Sequence, residues 1–77
     1  MAKQVTELFA FVMIDEDGDE AVPAFHDGTT WLPMIGADMA RVASLIPIAK
    51  KMVQRFPDRP IRILKFTVPE QIGEVKP

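Results

Sequence analysis

Six carboxylates lie close together in the first half of the chain, and they are the most concentrated reactive groups that the sequence offers. In residues 15–20 (DEDGDE), the side chains of Asp15, Asp17 and Asp19 alternate as they do at the start of a calcium-binding loop. Such a loop also requires glycine at its sixth position and glutamate at its twelfth, and this chain has neither there. The flanks are typical of strands rather than helices. We therefore expect a solvated turn and no metal site.

The same carboxylates allow a second interpretation. No Lys or Arg interrupts them, so they can imitate the spaced negative charge of a nucleic-acid backbone and be attracted to a basic groove. Acidity that only keeps the chain in solution is the simpler alternative. The carboxylates that we assign to a binding surface are those of Asp15, Glu16, Asp17, Asp19, Glu20 and Asp27.

His26 is the only histidine, and its neighbour Asp27 makes it a candidate for acid–base chemistry. The rest of a catalytic set is missing from the sequence, because there is no cysteine and the one serine, Ser44, lies on or at the start of the predicted helix. Gly-rich phosphate loops and His pairs at metal-ligand spacing are also missing. We expect His26 to pack at a turn against Phe9, and the protein to be no enzyme and to need no cofactor.

Basic side chains dominate the second half. Residues 1–37 hold one basic and seven acidic side chains, whereas residues 38–77 hold eight basic and four acidic ones. A basic patch for nucleic acid would consist of Arg41, Lys50, Lys51, Arg55, Arg59, Arg62 and Lys65. The only aromatics in that half are Phe56 and Phe66, so no stacking platform is evident and direct nucleic-acid binding is not our expectation. Trp31, in the other half, is a residue type that anchors interfaces, although it equally often anchors a small core.

A predicted three-stranded meander over residues 7–35 positions the acidic groups. The apolar run at residues 7–14 is typical of a strand buried on both faces. Asp-Gly pairs at residues 17–18 and 27–28 are hairpin signals, and strands at residues 21–26 and 30–34 follow them. Pro23 cannot donate to a ladder, which indicates an edge or a bulge.

Turns of two residues would fix the two faces of this meander. One face would carry Phe9, Phe11, Met13, Val22, Ala24, His26 and Trp31. The other would carry Leu8, Ala10, Val12, Ile14, Phe25, Leu32 and Met34. Such turns would also oppose like charges at the first tip, so that loop is either longer than two residues or kept acidic for a reason.

One helix follows the meander. Its apolar stripe recurs every three or four residues and consists of Met39, Val42, Leu45, Ile46, Ala49, Met52, Val53 and Phe56. Asp38 is a suitable N-cap, and Pro47 either kinks the helix on its solvent side or lies in the first turn of a second helix begun by Ser44. Residues 61–68 predict a last strand beside the first, and residues 70–77 a loose tail.

The chain thus predicts one domain of the α+β class, a mainly antiparallel two-layer sandwich of order β-β-β-α-β. One helix covers only one face of a sheet, so a protein partner or a second copy should bury the other apolar face. Residues 1–4 lead into a strand-like run rather than a signal peptide, and no apolar run is long enough to span a membrane. We therefore expect a cytoplasmic protein.

Two Asp-Gly hairpins, one helix and a closing strand in so short a chain resemble the compact proteins that bacteriophages and prophages encode. The segments that carry this resemblance are residues 9–18 (FAFVMIDEDG) and 31–38 (WLPMIGAD). Such proteins include the anti-CRISPR inhibitors, which are frequently small, acidic or charge-split and free of catalytic motifs. Some of those occupy the DNA groove of a surveillance complex. The resemblance implies an inhibitor, although the basic second half departs from a uniformly acidic mimic.

These observations predict a non-enzymatic protein-binding module, an inhibitor of anti-CRISPR type that docks on a nucleic-acid-handling complex. The acidic hairpin would supply long-range attraction, and Trp31 with the uncovered sheet face would supply contact area. Two alternatives remain open. A homodimer would bury the face of Phe9, Phe11 and Met13 against itself, and a nucleic-acid-binding regulator would use the basic helix face.

Overall fold

A computed structural model gives the conformation of residues 5–77, and it confirms the α+β class. The prediction that residues 1–4 do not begin a signal peptide concerns a segment that lies outside the described residues. In chain order the elements are β1 (Leu8–Ile14), β2 (Glu20–Ala21), β3 (Ala24–His26), β4 (Trp31–Pro33), β5 (Ile35–Gly36), α1 (Met39–Arg55) and β6 (Arg62–Phe66).

β1 is the strand to which three others pair. β6 runs antiparallel to it from Leu8 to Val12, so the last strand lies beside the first, as predicted. Because β6 occupies that edge, β5 pairs along the other edge, opposite Phe9 and Ala10. β2 pairs with the carboxyl end of β1. A strand with neighbours on both edges has its backbone groups satisfied by the sheet, which suits the continuous apolar sequence of β1.

The predicted meander is broken at two points. β3 and β4, which we name the outer hairpin, form a two-stranded sheet of their own and do not pair with β2 or β5. Pro23, which has no N–H, separates β2 from β3 and uses its carbonyl oxygen to accept from Met34 N at 3.0 Å. The carbonyl oxygen of Met34 in turn accepts from Phe11 N at 3.0 Å. The chain therefore changes pairing partner at Met34, from the outer hairpin to β1.

Both hairpin loops are longer than two residues, and for the first loop this is one of the two alternatives that the sequence left open. Ile14 pairs with Glu20, so residues 15–19 form a five-residue loop, and His26 pairs with Trp31, so residues 27–30 form a four-residue loop. The longer first loop removes the opposition of like charges that two-residue turns would impose. It also shifts the register of the first hairpin by one residue, which exchanges the faces of everything that follows. Phe25 and Met34 accordingly lie with Phe9 and Phe11 against the helix, not with Leu8 and Val12.

α1 begins and runs as the sequence indicates. The Oδ1 atom of Asp38 accepts from Arg41 N at 2.9 Å, which is the expected N-cap. The helix continues through the exposed Pro47 to Arg55, so the alternative of a second helix from Ser44 is wrong. The kink at Pro47 stays a prediction. Of the predicted stripe, Met39 and Phe56 at the two ends are exposed rather than packed.

The core lies between α1 and one face of β1. Its buried members are Phe9, Phe11, Met34, Val42, Leu45 and Ala49. Full burial of one such large side chain is worth roughly 1.5–3 kcal/mol, so this small set accounts for much of the fold's stability. Phe9 and Phe11 are already covered by α1, so these two side chains are not free to pack against a second copy. The opposite, helix-distal face carries the partly exposed side chains of Leu8, Ile14, Ile35 and Phe66.

Residues 67–77 have no regular secondary structure, and their large apolar side chains are almost fully exposed. The loose tail predicted for residues 70–77 lies within this segment. Among residues 5–77, no helix has the length and apolar composition that crossing a bilayer requires.

Candidate functional site

The acidic loop, residues 15–19, owes its shape to one of its own carboxylates. Asp15 Oδ1 accepts from the backbone N–H of Asp17 at 2.9 Å and of Asp19 at 3.0 Å. The backbone of Asp15 closes the loop by donating to the carbonyl oxygen of Asp19 at 2.8 Å. Gly18 has φ 84°, a left-handed conformation that glycine adopts at little cost. Asp15 is therefore a structural residue, and Glu16, Asp17 and Asp19 are the exposed charges of the loop.

Carboxylate oxygens of Asp15, Asp17 and Asp19 lie within 4.8 Å of one another. These are the residues that would hold a cation in this loop. Calcium takes about six to eight oxygen ligands, whereas this loop brings together three carboxylates. One of their oxygens, Oδ1 of Asp15, already accepts two backbone hydrogen bonds. The property that characterises this loop is therefore its negative charge rather than a set of cation ligands.

The other two predicted carboxylates have local partners. Glu20 Oε1 lies 3.2 Å from Arg62 Nη2, and both side chains are exposed, so the pair is worth little in stability but offsets the charge of Glu20. Asp27 lies in the loop of the other hairpin, where its Oδ1 accepts from Thr29 N and Thr30 N, each at 2.8 Å. The hydrogen bond from Thr30, and then that from Thr29, lowers the pKa of Asp27 below its ordinary value. The structure thus places Asp27 in a turn separate from the acidic loop.

Trp31 is exposed over 68 % of its surface, yet its ring is supported. The His26 ring meets it edge to face, with the ring centroids 5.3 Å apart and the planes at 81°. His26 Nδ1 accepts from Gly28 N at 3.0 Å, which fixes the orientation of the imidazole and leaves the proton of its neutral form on Nε2. The expectation that His26 packs against Phe9 is wrong: its aromatic partner is Trp31. His26 and Asp27 each bind backbone N–H groups of their own turn.

A cleft of about 440 Å³ separates the outer hairpin from α1. We name it the Trp31 cleft; its lining consists of Met13, Pro23, Ala24, Trp31, Ile48, Lys51, Met52, Arg55 and Phe56. Lys51 and Arg55 lie one helical turn apart and bring positive charge to an otherwise apolar cleft. The guanidinium carbon of Arg55 is 5.9 Å from the centroid of the Phe56 ring, and that of Arg59 is 5.6 Å from it.

This combination of aromatic and basic groups was not predicted. Trp31 belongs to the acidic half of the chain, whereas the absence of a stacking platform was predicted from the aromatics of the basic half alone. The outer hairpin brings the two halves together by folding over α1. The sequence signal that could have revealed this is Phe25, an apolar residue between exposed ones in β3, which packs against the core and draws the hairpin onto the helix.

The acidic loop and the Trp31 cleft are neighbours. Met13 lines the cleft and also a second recess that it shares with Asp15, Glu16, Asp17, Ala21 and Arg59. The two regions therefore form one continuous surface, acidic at one end and apolar with basic groups at the other.

Comparisons with protein-family models, with curated proteins and with solved structures find no match to this chain.

Proposed function

We propose that this protein is a non-enzymatic protein-binding module whose contact surface is the acidic loop together with the Trp31 cleft. The observation that carries the proposal is the state of Trp31, which is exposed but held in place by His26. Tryptophan is enriched among residues that dominate binding energy, and an ordered side chain loses less conformational entropy on binding. A large apolar group displayed in this way is suited to insertion into a pocket of a partner.

The acidic loop supports a partner with a basic surface. Glu16, Asp17 and Asp19 are exposed on a loop whose shape does not depend on their side chains, so their charge is available for long-range attraction. A groove built to bind nucleic acid has the complementary charge. We therefore favour a nucleic-acid-handling complex in the cytoplasm as the target, with the protein acting as an inhibitor of anti-CRISPR type.

The test compares charge reversal in the loop with the same change elsewhere. Glu16→Lys/Asp17→Lys keeps the Asp15 hydrogen bonds, and Glu7→Lys/Asp58→Lys alters the net charge by the same amount away from the loop. Tagged native protein should capture a nucleic-acid-binding complex from bacterial lysate and weaken its binding to nucleic acid. The loop variant and Trp31→Ala should lose both effects, while the control keeps them. Equal capture by all four proteins, or capture without weaker nucleic-acid binding, would contradict the proposal.

A second candidate function is favoured by the Trp31 cleft itself. Trp31 and Phe56 are exposed aromatics beside Lys51 and Arg55, and proteins that bind single-stranded nucleic acid combine such stacking and basic groups. Under this alternative, a fluorescent oligonucleotide should bind more weakly as salt rises and should quench Trp31. Lys51→Glu/Arg55→Glu should abolish binding, and Lys76→Glu should not. Failure of the native protein to bind at low salt would exclude this function.

A further inference from the structure

A second groove lies on the other side of the molecule from the outer hairpin, between α1 and β6. It has a volume of about 420 Å³ and is lined by Phe11, Ile46, Ala49, Lys50, Val53, Gln54, Ile61 and Ile63. We name it the β6 groove. α1 packs on β1 and β5, so the helix-facing side of β6 extends past it. Ile63 consequently remains 45 % exposed although it pairs with Phe11, the centre of the core.

The groove adjoins the edge of β6 that does not pair with β1. β6 pairs with β1 along one edge, and no strand within residues 5–77 pairs with its other edge. Its five residues contain no proline. An exposed edge of this kind presents unpaired N–H and C=O groups to which an extended segment can add, with its alternate side chains entering a neighbouring groove.

The side chains around the groove define what such a segment must carry. Lys65 and Ile63 share the helix-facing side of β6, because their cross-strand partners are Phe9 and Phe11. Lys50 lines the groove from α1, and the lining residues of the described chain include no carboxylate. A complementary strand therefore has an apolar side chain flanked by carboxylates on one face, that is, acidic, apolar and acidic residues at every second position.

The chain itself contains that pattern. Glu70, Ile72 and Glu74 alternate in the tail, with Gln71 and Gly73 between them. Residues 67–77 form no regular structure, and the Ile72 side chain is 96 % exposed. If Ile72 lies opposite Ile63 in an antiparallel pair, Glu70 lies opposite Lys65, and Glu74 lies at the end of the groove where Ile61 is. Pro69 lies just before the added strand, where its missing N–H is tolerated.

We propose that residues 70–74 of one copy add as an antiparallel strand to β6 of a second copy, with Ile72 in the β6 groove. Ile72 lies six residues after Phe66, and this stretch spans up to ~20 Å when extended, which is enough to cross to a neighbouring molecule. Reciprocal exchange of the two tails gives a closed, two-fold symmetric dimer. This assembly uses a face that the Trp31 cleft and the acidic loop do not occupy. It therefore stands whether or not the proposed function is correct.

The first test measures self-association by sedimentation velocity over a range of protein concentration. The native protein should shift from monomer to dimer as concentration rises. Ile72→Asp should raise the dissociation constant by more than about tenfold, because it brings a charge into an apolar groove. Val75→Asp is the matched control. Val75 is as exposed as Ile72, but its side chain would lie on the opposite face of an extended strand. Its substitution should therefore change the dissociation constant by less than about twofold.

A charge exchange tests the register. Glu70→Lys and Lys65→Glu should each weaken the dimer, and the double variant should recover it. A native protein that stays monomeric at every concentration would overturn the proposal, including the case in which the tail folds back on its own β6. A dimer that Ile72→Asp leaves intact would overturn it as well, because another surface would then hold the copies together. The substituted tail residues, Glu70 and Ile72, are exposed. Circular dichroism checks that the variants keep the native fold.

Discussion

The backbone N–H of Phe11 donates a hydrogen bond of 3.0 Å to the carbonyl oxygen of Met34. The N–H of Met34 donates to the carbonyl oxygen of Pro23. Its side chain is 0 % exposed and lies among Phe9, Phe11, Val42 and Leu45. One residue thus joins the outer hairpin, the central strand and the helix, and its backbone and side chain both take part.

Truncation of Met34 should be among the most damaging changes in the core. Met34→Ala removes a fully buried side chain and should lower the free energy of unfolding by about 2–5 kcal/mol, as measured by urea denaturation. Met34→Leu keeps the volume and should cost less than about 1.5 kcal/mol, which makes the position measurable if the alanine variant does not fold. Met39, 62 % exposed at the start of α1, is the control, and Met39→Ala should change stability by no more than about 0.5 kcal/mol. Similar losses at Met34 and Met39 would contradict this role.

Gly36 should not tolerate a side chain. A Cβ atom there would lie 2.6 Å from Cγ of Arg41 and 2.8 Å from its Cβ, inside any acceptable contact. We expect Gly36→Ala to lower the free energy of unfolding by about 1–3 kcal/mol, because α1 must shift relative to β5. Removal of the nearer atom in Gly36→Ala/Arg41→Ala should recover part of that loss. Gly73→Ala, at a position with no atom within 4 Å of the added Cβ, serves as the control and should have little effect.

Acid should loosen the turn at residues 27–30 through Asp27. Hydrogen bonds from Thr30 and Thr29 hold the pKa of this carboxyl below the ordinary value of 3.8 in the folded protein. The stabilising effect of the ionised group is therefore fully present above the unfolded pKa and is lost as the pH falls through the lower, folded pKa. Carbon-detected NMR of the carboxyl group should give a midpoint below 3.8. The amide signals of Thr29 and Thr30 should move with the same midpoint.

A midpoint at or above the ordinary value would show that the two hydrogen bonds do not favour the charged form. Asp27→Asn is the control for the amide signals. Its side-chain oxygen can still accept both hydrogen bonds, but it has no proton to gain, so the acid-dependent movement at Thr29 and Thr30 should disappear.

The N-cap of α1 should be worth about 1 kcal/mol. Asp38→Ala leaves the N–H of Arg41 without its partner and should lower the free energy of unfolding by that amount in thermal or urea denaturation. Ser44 offers a contrast within the same helix, since its Oγ donates to the carbonyl oxygen of Arg41 at 2.7 Å rather than satisfying a free N–H. Ser44→Ala should be neutral or slightly stabilising, because alanine has the higher helix propensity. An Asp38→Ala variant as stable as Ser44→Ala would exclude a capping role.

The parts of the fold that the sequence predicts are those with local signals. The apolar run of β1, the periodic stripe of α1 and the side chain of Asp38 each indicate their own structure within a few residues. The change of partner at Met34 has no such signal. It depends on Phe11, which lies on a strand far earlier in the chain, and on Pro23. The sequence shows that Pro23 has no N–H, but it does not show which group donates to the carbonyl oxygen of Pro23.

For the candidate site, residue types were more informative than positions. The carboxylates of the acidic loop were recognised, but a list of residues does not distinguish Asp15, which holds the loop together, from Asp17, which only adds charge. Trp31 was predicted to anchor either an interface or a small core. Its position beside Lys51 and Arg55 follows from tertiary packing of the outer hairpin on α1, and no spacing along the chain encodes that.

The loop at residues 27–30 is closed by hydrogen bonds from within itself, including Asp27 N to Thr30 O at 3.1 Å. The outer hairpin, which carries this loop, is continuous with the rest of the chain at Pro23 and Met34 and packs on the core through Phe25. Insertions and substitutions at its tip therefore leave the ladder around β1 unchanged. The composition and length of this tip can therefore vary while the strands around β1 keep their pairing.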